Sequence, residues 1–271
     1  MGAVTRRAVL SGLAASAALV AACGPGAPQG VAMRDGSLRS SHWPGREVRW
    51  RLAVPDRAGA PPPTVVVLHG RGGNADNAFD DQRVQDHVAR TGLAVASVDG
   101  GNHWWHPRRS GIDTAAMVRE DFLPLLSEQT GYAGPLALLG WSMGGYGALL
   151  LASELGPARV GAVVAASAAL WTSRPAEPPE AFDDDADFAR HDVFRRTGIL
   201  AAIPVRLDCG DRDSFLAANR AFARALPTAT LTVDRGDHSW DYWRGHAGAQ
   251  LDWVAARLGE RRATLPSVSR R

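Results

Sequence analysis

Lysine is absent from the 271 residues, and the basic side chains are all arginine, scattered along the chain with no clustering. The 30 of them face 28 acidic residues, leaving a formal charge of +2. No one-sided field exists to recruit nucleic acid or an acidic polymer, so neither is expected as a partner. The missing lysine reads as the codon bias of a GC-rich genome and carries no functional meaning. Cysteine is nearly absent too, with only Cys23 and Cys209 present. A bridge between them would tie a flexible tail to a core strand, so Cys209 is expected as a buried free thiol. There is no Gly-x-Gly-x-x-Gly and no phosphate-loop motif, which argues against nucleotide chemistry. The longest apolar run, residues 8–22, is 15 residues long, against roughly 20 needed to span a bilayer.

That run has a meaning of its own. Arg6 and Arg7 precede it, and Val20-Ala21-Ala22-Cys23 closes it with small residues before a cysteine, the layout of an export signal. The paired arginines resemble a twin-arginine signal, and residues 20–23 resemble a bacterial lipobox, which implies a lipid on Cys23. Residues 1–23 are therefore expected as the signal. Residues 24–45, rich in Gly, Pro, Ser and Gln, are expected as a tether, 46–258 as a single domain, and 259–271 as a tail. The protein is expected outside the cytoplasm, lipid-anchored on the outer face of the cytoplasmic membrane or secreted, and as a monomer.

Within the domain, short apolar runs alternate with segments of helical period, the pattern of an α/β fold with a mostly parallel sheet covered on both faces. Strands are expected at 47–54, 64–68, 94–98, 136–139, 162–165, 205–208 and 230–233. Helices are expected at 80–90, 114–129, 145–155, 215–225 and 248–258. Residues 171–198 turn polar and proline-rich, with Asp183-Asp184-Asp185, and are expected as an exposed excursion or small cap.

The apolar run 136–139 leads into Gly140-Trp141-Ser142-Met143-Gly144-Gly145, with a small-residue helix behind it. A sharp strand-to-helix turn leaves no room for side chains around the serine, so glycines flank it and the hydroxyl points out above the sheet. A serine needs a base and an orienting acid to act as nucleophile. His238 follows the last expected strand, where a loop can carry an imidazole to the same sheet edge; His246, eight residues on, should enter the final helix. The acid candidates Asp211 and Asp213 share one loop, and the residues by themselves do not choose between them, since either could instead cap the helix that follows. Backbone donors for an oxyanion are expected from Met143, directly after the serine, and from Arg71 in the glycine-rich loop His69-Gly70-Arg71-Gly72-Gly73. His69 is expected to hold that loop.

Four pieces together resemble the esterase D-like branch of the α/β-hydrolases, which includes S-formylglutathione hydrolases, feruloyl and acetylxylan esterases and secreted mycolyltransferases. They are Leu68 with the loop 69–73, Asp121-Phe122-Leu123-Pro124, the serine turn, and Gly210-x-x-Asp213-x-Phe215 with Gly236-x-His238-Ser239-Trp240-x-x-Trp243. The resemblance runs from about Val65 to Trp243 and implies an α/β-hydrolase fold, with Ser142 as nucleophile, His238 as base and Asp213 as acid.

Nine tryptophans are many for this length. Trp104, Trp105 and Trp240, with Trp171 and Trp243, fall in loops near the expected cleft, where flat walls would suit a carbohydrate-linked or aromatic ester. Asp99, His103 and His106 lie in a Gly-, Trp- and Pro-rich stretch without metal-ligand spacing, so no metal site is expected there, and no cofactor is required. Ester hydrolysis is the leading expectation. Acyl transfer to a cell-wall alcohol uses the same residues, and a binding module that keeps only the fold is the third reading.

Overall fold

The computed structural model describes residues 28–175 and 178–264. The expected signal and Cys23 lie outside them. Eight strands form one sheet: β1 Val31–Arg39, β2 Glu47–Pro55, β3 Thr64–Leu68, β4 Ala94–Val98, β5 Leu136–Trp141, β6 Val160–Ala166, β7 Val205–Gly210 and β8 Thr230–Asp234, ordered β1-β2-β4-β3-β5-β6-β7-β8. Only the β1–β2 and β2–β4 pairs are antiparallel; the other pairs run parallel.

The parallel strands are continuous apolar runs because both faces of the sheet are covered. Alternation along each strand sends successive side chains to opposite cores. Val66, Leu68, Ala96 and Leu138 face one cluster, while Val65, Val67, Val95 and Leu139 face the other. The helices are α1 Asn77–Asp80, α2 Val88–Thr91, α3 Thr114–Ala116, α4 Leu123–Thr130, α5 Met143–Leu155, α6 Asp185–His191, α7 Thr197–Leu200, α8 Leu216–Ala225 and α9 Trp240–Thr264. On the first face, α5 sits against β5 and β6 and is buried almost all round; α9 crosses the second face, contributing Leu251, Val254 and Leu258.

Several expectations are corrected. The segment 24–45 is not a tether throughout, because Val31–Arg39 within it form β1, an edge strand paired with β2 from Val31↔Pro55 to Arg39↔Glu47. Its polar residues Arg34, Asp35 and Ser37 sit on a strand only partly buried, so no apolar run announced it. The helix at 80–90 is instead α1, a 3-10 turn Val84–His87 and α2. Residues 114–130 are helical, but a π-helical turn, Met117–Phe122, joins α3 to α4. There Asp121 accepts a hydrogen bond from Ser40 Oγ at 2.6 Å, tying the π-turn to the end of the β1–β2 hairpin. The final helix starts at Trp240, well before 248, and continues through residues assigned to the tail. Of the two alternatives expected for 171–198, an exposed excursion or a small cap, the described residues match the cap, with α6 and two 3-10 turns and with Ala181, Phe182 and Val193 buried in the core. It is a cap fastened to the body, with only part of its surface exposed.

Candidate active site

The parallel strands end level with one another: Leu68 is opposite Gly140, Trp141 opposite Ala166, and Gly210 opposite Asp234. The loops leaving these ends therefore meet above one edge of the sheet. Ser142 stands between β5 and α5 with φ 55° and ψ −121°, a strained backbone for a residue with a side chain. A Cβ on Gly144 would lie 1.9 Å from the Leu68 carbonyl oxygen, and one on Gly140 2.2 Å from that of Gly144. The turn thus closes only with glycine at both positions, which is the local reason for the motif.

His238 lies in the loop between β8 and α9, with Nε2 2.9 Å from Ser142 Oγ and Nδ1 3.0 Å from Asp213 Oδ2. A carboxylate only accepts, so the Nδ1 proton points to Asp213 and the Nε2 lone pair is left for the serine hydroxyl. Asp213, in the β7–α8 loop, also accepts the Phe215 amide at 2.8 Å through Oδ1. Burial by itself would raise its pKa, but hydrogen bonds from His238, Ser167 and the Phe215 amide outweigh this and hold the carboxyl below its usual range. Asp211 does a different job. Its carboxylate accepts the Gly236 amide at 3.0 Å and its own amide donates to Asp234 O, so it holds the loop that carries His238. His246 lies in α9, paired with Asp234 at 2.8 Å.

Arg71 and Gly70 line the same cleft as Ser142 and His238. Their loop is held by His69, whose Nδ1 donates to Gly70 O at 2.8 Å while Nε2 accepts the Gly100 amide at 2.9 Å. Burial pushes His69 below its ordinary pKa, which suits a neutral ring that must both donate and accept. The Gly72 amide donates to Asn102 Oδ1 at 2.7 Å, and the Arg71 guanidinium meets Glu180 of the cap at 2.5 Å. Met143 is the first residue of α5, where helix amides have no acceptor within the helix and the dipole favours negative charge.

These groups open into a cavity of about 530 Å³. Trp104 and Trp240 line it; Trp105 does not, a correction to the expectation above. The Trp105 ring is wedged so tightly between Gly100 and Gly147 that a Cβ on either would come within 2.3 Å of it, and its edge meets His69 at 5.1 Å. Trp141, Phe215 and Pro178 also line the wall, and no pattern along the chain marks them for that place. Trp141 stood inside the serine motif as its unspecified position, and Pro178 is brought in by the cap from a distant segment. Cys209 is buried in β7, and burial pushes its thiol up to about 12, which leaves it an inert core residue.

Among the described residues, His106, Asp187 and His191 bring three potential ligand atoms within 4.8 Å of one another. The two imidazoles are stacked, with centroids 4.4 Å apart and planes 22° apart. An ion shared by them, about 2.1 Å from each nitrogen, would have to lie near both ring planes at once, and stacked rings do not allow it. The cluster is a fastening for the cap. His106 Nε2 meets Ala181 O at 3.1 Å, Arg108 reaches Asp183 at 2.8 Å, and Tyr146 Oη donates to His191 O at 3.0 Å.

Burial, then the neighbouring His191, pushes the His106 pKa down to about 4, whereas the unfolded chain titrates near 6.5. Opening therefore takes up a proton between those values, and the stability present above pH 6.5 is lost as pH falls toward 4. Amides of the cap are expected to exchange through more frequent opening at pH 5 than at pH 7, after correction for intrinsic rates. Equal protection at the two pH values would refute this.

Comparison with known proteins follows the same outline. The S-formylglutathione hydrolase of Agrobacterium tumefaciens superposes with a TM-score of 0.73 at 24% identity, over 85% of this chain and 96% of that one. A ferulic acid esterase gives 0.72 at 20% identity, over 83% and 97%. The fluorophosphonate-binding serine hydrolase FphF of Staphylococcus aureus gives 0.73 at 16% identity, over 83% and 98%. No curated protein matches the sequence. The alpha/beta hydrolase fold family matches residues 63–251, a span that begins just before β3 and ends inside α9, so the chain belongs to that family.

Proposed function

We propose that this protein is an extracytoplasmic serine esterase of the esterase D-like branch, cleaving a carboxylic ester through an acyl-enzyme on Ser142. The observation that carries the reading is the continuous hydrogen-bonded array from Asp213 through His238 to Ser142, opening on a cavity walled by Trp104, Trp141, Phe215 and Trp240. Ser142 Oγ attacks the ester carbonyl as His238 Nε2 takes its proton. The oxyanion forms against the amides of Met143 and Arg71, where preset donors need no reorganisation. The carbon–oxygen bond to the leaving alcohol then breaks, and His238 returns the proton to it. Water repeats the sequence and frees the acid. Asp213 stays ionised, keeping the His238 tautomer fixed and balancing its charge.

The aromatic walls suit an acyl group or sugar ring with a flat face, so an aromatic or carbohydrate-linked ester is the substrate class. A fold shared with a ferulic acid esterase is consistent with this reading. The test is a rate comparison across acetyl, feruloyl and long-chain p-nitrophenyl esters and a thioester, with and without an added sugar alcohol. Hydrolysis of the acetyl and feruloyl esters to free acid is expected. No turnover of any of them by folded protein would overturn the proposal, and accumulation of acylated alcohol would turn it into acyl transfer.

Export and anchoring through Cys23 are supported by the sequence around residues 6–23. Mass spectrometry of membrane-extracted protein should find a diacylglyceryl group on an N-terminal Cys23. An unmodified cysteine would end that part of the proposal.

A further inference from the structure

Ser167 lies one residue beyond β6, fully buried, with φ +47°, in the region that glycine enters freely and other residues avoid. The bend around it is laced to both neighbouring strands. The Ser142 amide donates to Ala166 O at 3.0 Å, the Ala169 amide to Ser142 O at 3.0 Å, and the Ser167 amide to Asp208 O at 2.7 Å. The residue is thereby held at a fixed point between the turn at Ser142 and the end of β7.

Its hydrogen-bonding directions follow from its partner. Trp243, the second residue past Asp241 in α9, places its indole Nε1 2.9 Å from Ser167 Oγ, with both side chains buried. An indole N–H can only donate, so Ser167 Oγ accepts and its single hydrogen is left to turn toward the carboxylate of Asp213, which it helps to hold below its usual range. Asp213 Oδ1 takes the Phe215 amide and Oδ2 takes His238. The edge of the Trp243 ring also meets the His238 imidazole at 4.9 Å, with planes 88° apart.

We propose that Ser167, held by Trp243, is a positioning residue that fixes Asp213 in the orientation His238 needs and shares the carboxylate's negative charge. The direction is one-way, from indole to hydroxyl to carboxylate to imidazole. Trp243 reaches Asp213 through the Ser167 hydroxyl, and its separate edge contact with the His238 ring is one that a phenylalanine ring largely keeps. A glycine at 167 would relieve the backbone, so the serine is explained by its hydroxyl.

The test uses Ser167→Gly, Trp243→Phe and the double variant in the full protein. Ser167→Gly suits the local backbone, and Trp243→Phe keeps most of the ring but loses the N–H. The kinetic arm rests on the esterase reading above, while NMR titration of the His238 imidazole does not depend on turnover. In Ser167→Gly, kcat is expected to fall about tenfold or more with KM unchanged, the size of losing a hydrogen bond to a charged group. The His238 titration should move to higher pH, because charge withdrawn from Asp213 by the hydroxyl returns to the oxygen facing Nδ1. Trp243→Phe should move both quantities the same way by less, and the double variant should be no worse than Ser167→Gly. An unshifted His238 titration in Ser167→Gly, or losses that simply add, would overturn the proposal. Absence of ester turnover in the parent would count against the esterase reading alone, since the titration would still decide the role of Ser167.

Discussion

Replacing Ser142 by alanine is expected to lower kcat for an activated ester by a factor on the order of 10⁴ to 10⁶, leaving only what the oxyanion donors and binding supply. The variant should still fold. Ser142 Oγ is bonded to His238, and the backbone bonds that fix the turn, from the Ser142 amide to Ala166 O and from the Tyr146 and Ala169 amides to Ser142 O, do not involve the hydroxyl. Alanine carries the same Cβ through the positive-φ position, so the strain is unchanged. The measurement pairs a p-nitrophenyl ester assay with thermal unfolding. An alanine variant that melts like the parent and retains its rate would remove Ser142 from the chemistry and with it the proposed mechanism.

The second large effect concerns the acid. Asp213→Asn is expected to cost on the order of 10⁴ in kcat, by analogy with the loss seen when a triad aspartate becomes an amide, and the local geometry explains the size. The Phe215 amide needs an acceptor at Oδ1, and that bond holds the asparagine carbonyl in place. The NH₂ group is then turned toward His238 Nδ1. It selects the tautomer protonated on Nε2, which donates toward Ser142 and can no longer take its proton. Asp211→Asn should change the rate only a few-fold, because its side-chain carbonyl can still accept the Gly236 amide and a surface ion pair with Arg212 contributes little. The reverse ranking would transfer the role of acid to Asp211. Parallel pH–rate profiles of the two variants separate a tautomer defect from a loop displacement.

Some of this protein was legible without coordinates because the physics responsible is local. Strands buried on both faces must be continuous apolar runs, and β3 to β7 announced themselves in that way. A strand that turns into a helix within one residue must be hemmed by glycine, and Gly140 and Gly144 stood on either side of Ser142. His238 and Asp213 follow from strands whose C-terminal ends share one edge. β1 was illegible for the opposite reason: an antiparallel edge strand with Arg34 and Asp35 on it lacks an apolar run. The long helix α9 starts earlier than its apolar pattern does, because its first turns carry Asp241, Arg244 and Gly245, and only burial of Tyr242 and Trp243 shows why they are helical.

The sequence by itself determined the fold class, the nucleophile's turn and the order in which its partners occur, since each is a requirement on neighbouring residues. Which aspartate bonds the histidine was decided by loop geometry, and a family likeness was needed to anticipate it. Only the tertiary structure decided that Trp105 is core while Trp141 and Phe215 are walls, that the segment around residue 180 returns to Arg71, and that Ser167 stands behind Asp213. Those facts depend on contacts between segments up to about a hundred residues apart, such as Arg71 with Glu180, and no local pattern encodes which distant surface a side chain will meet.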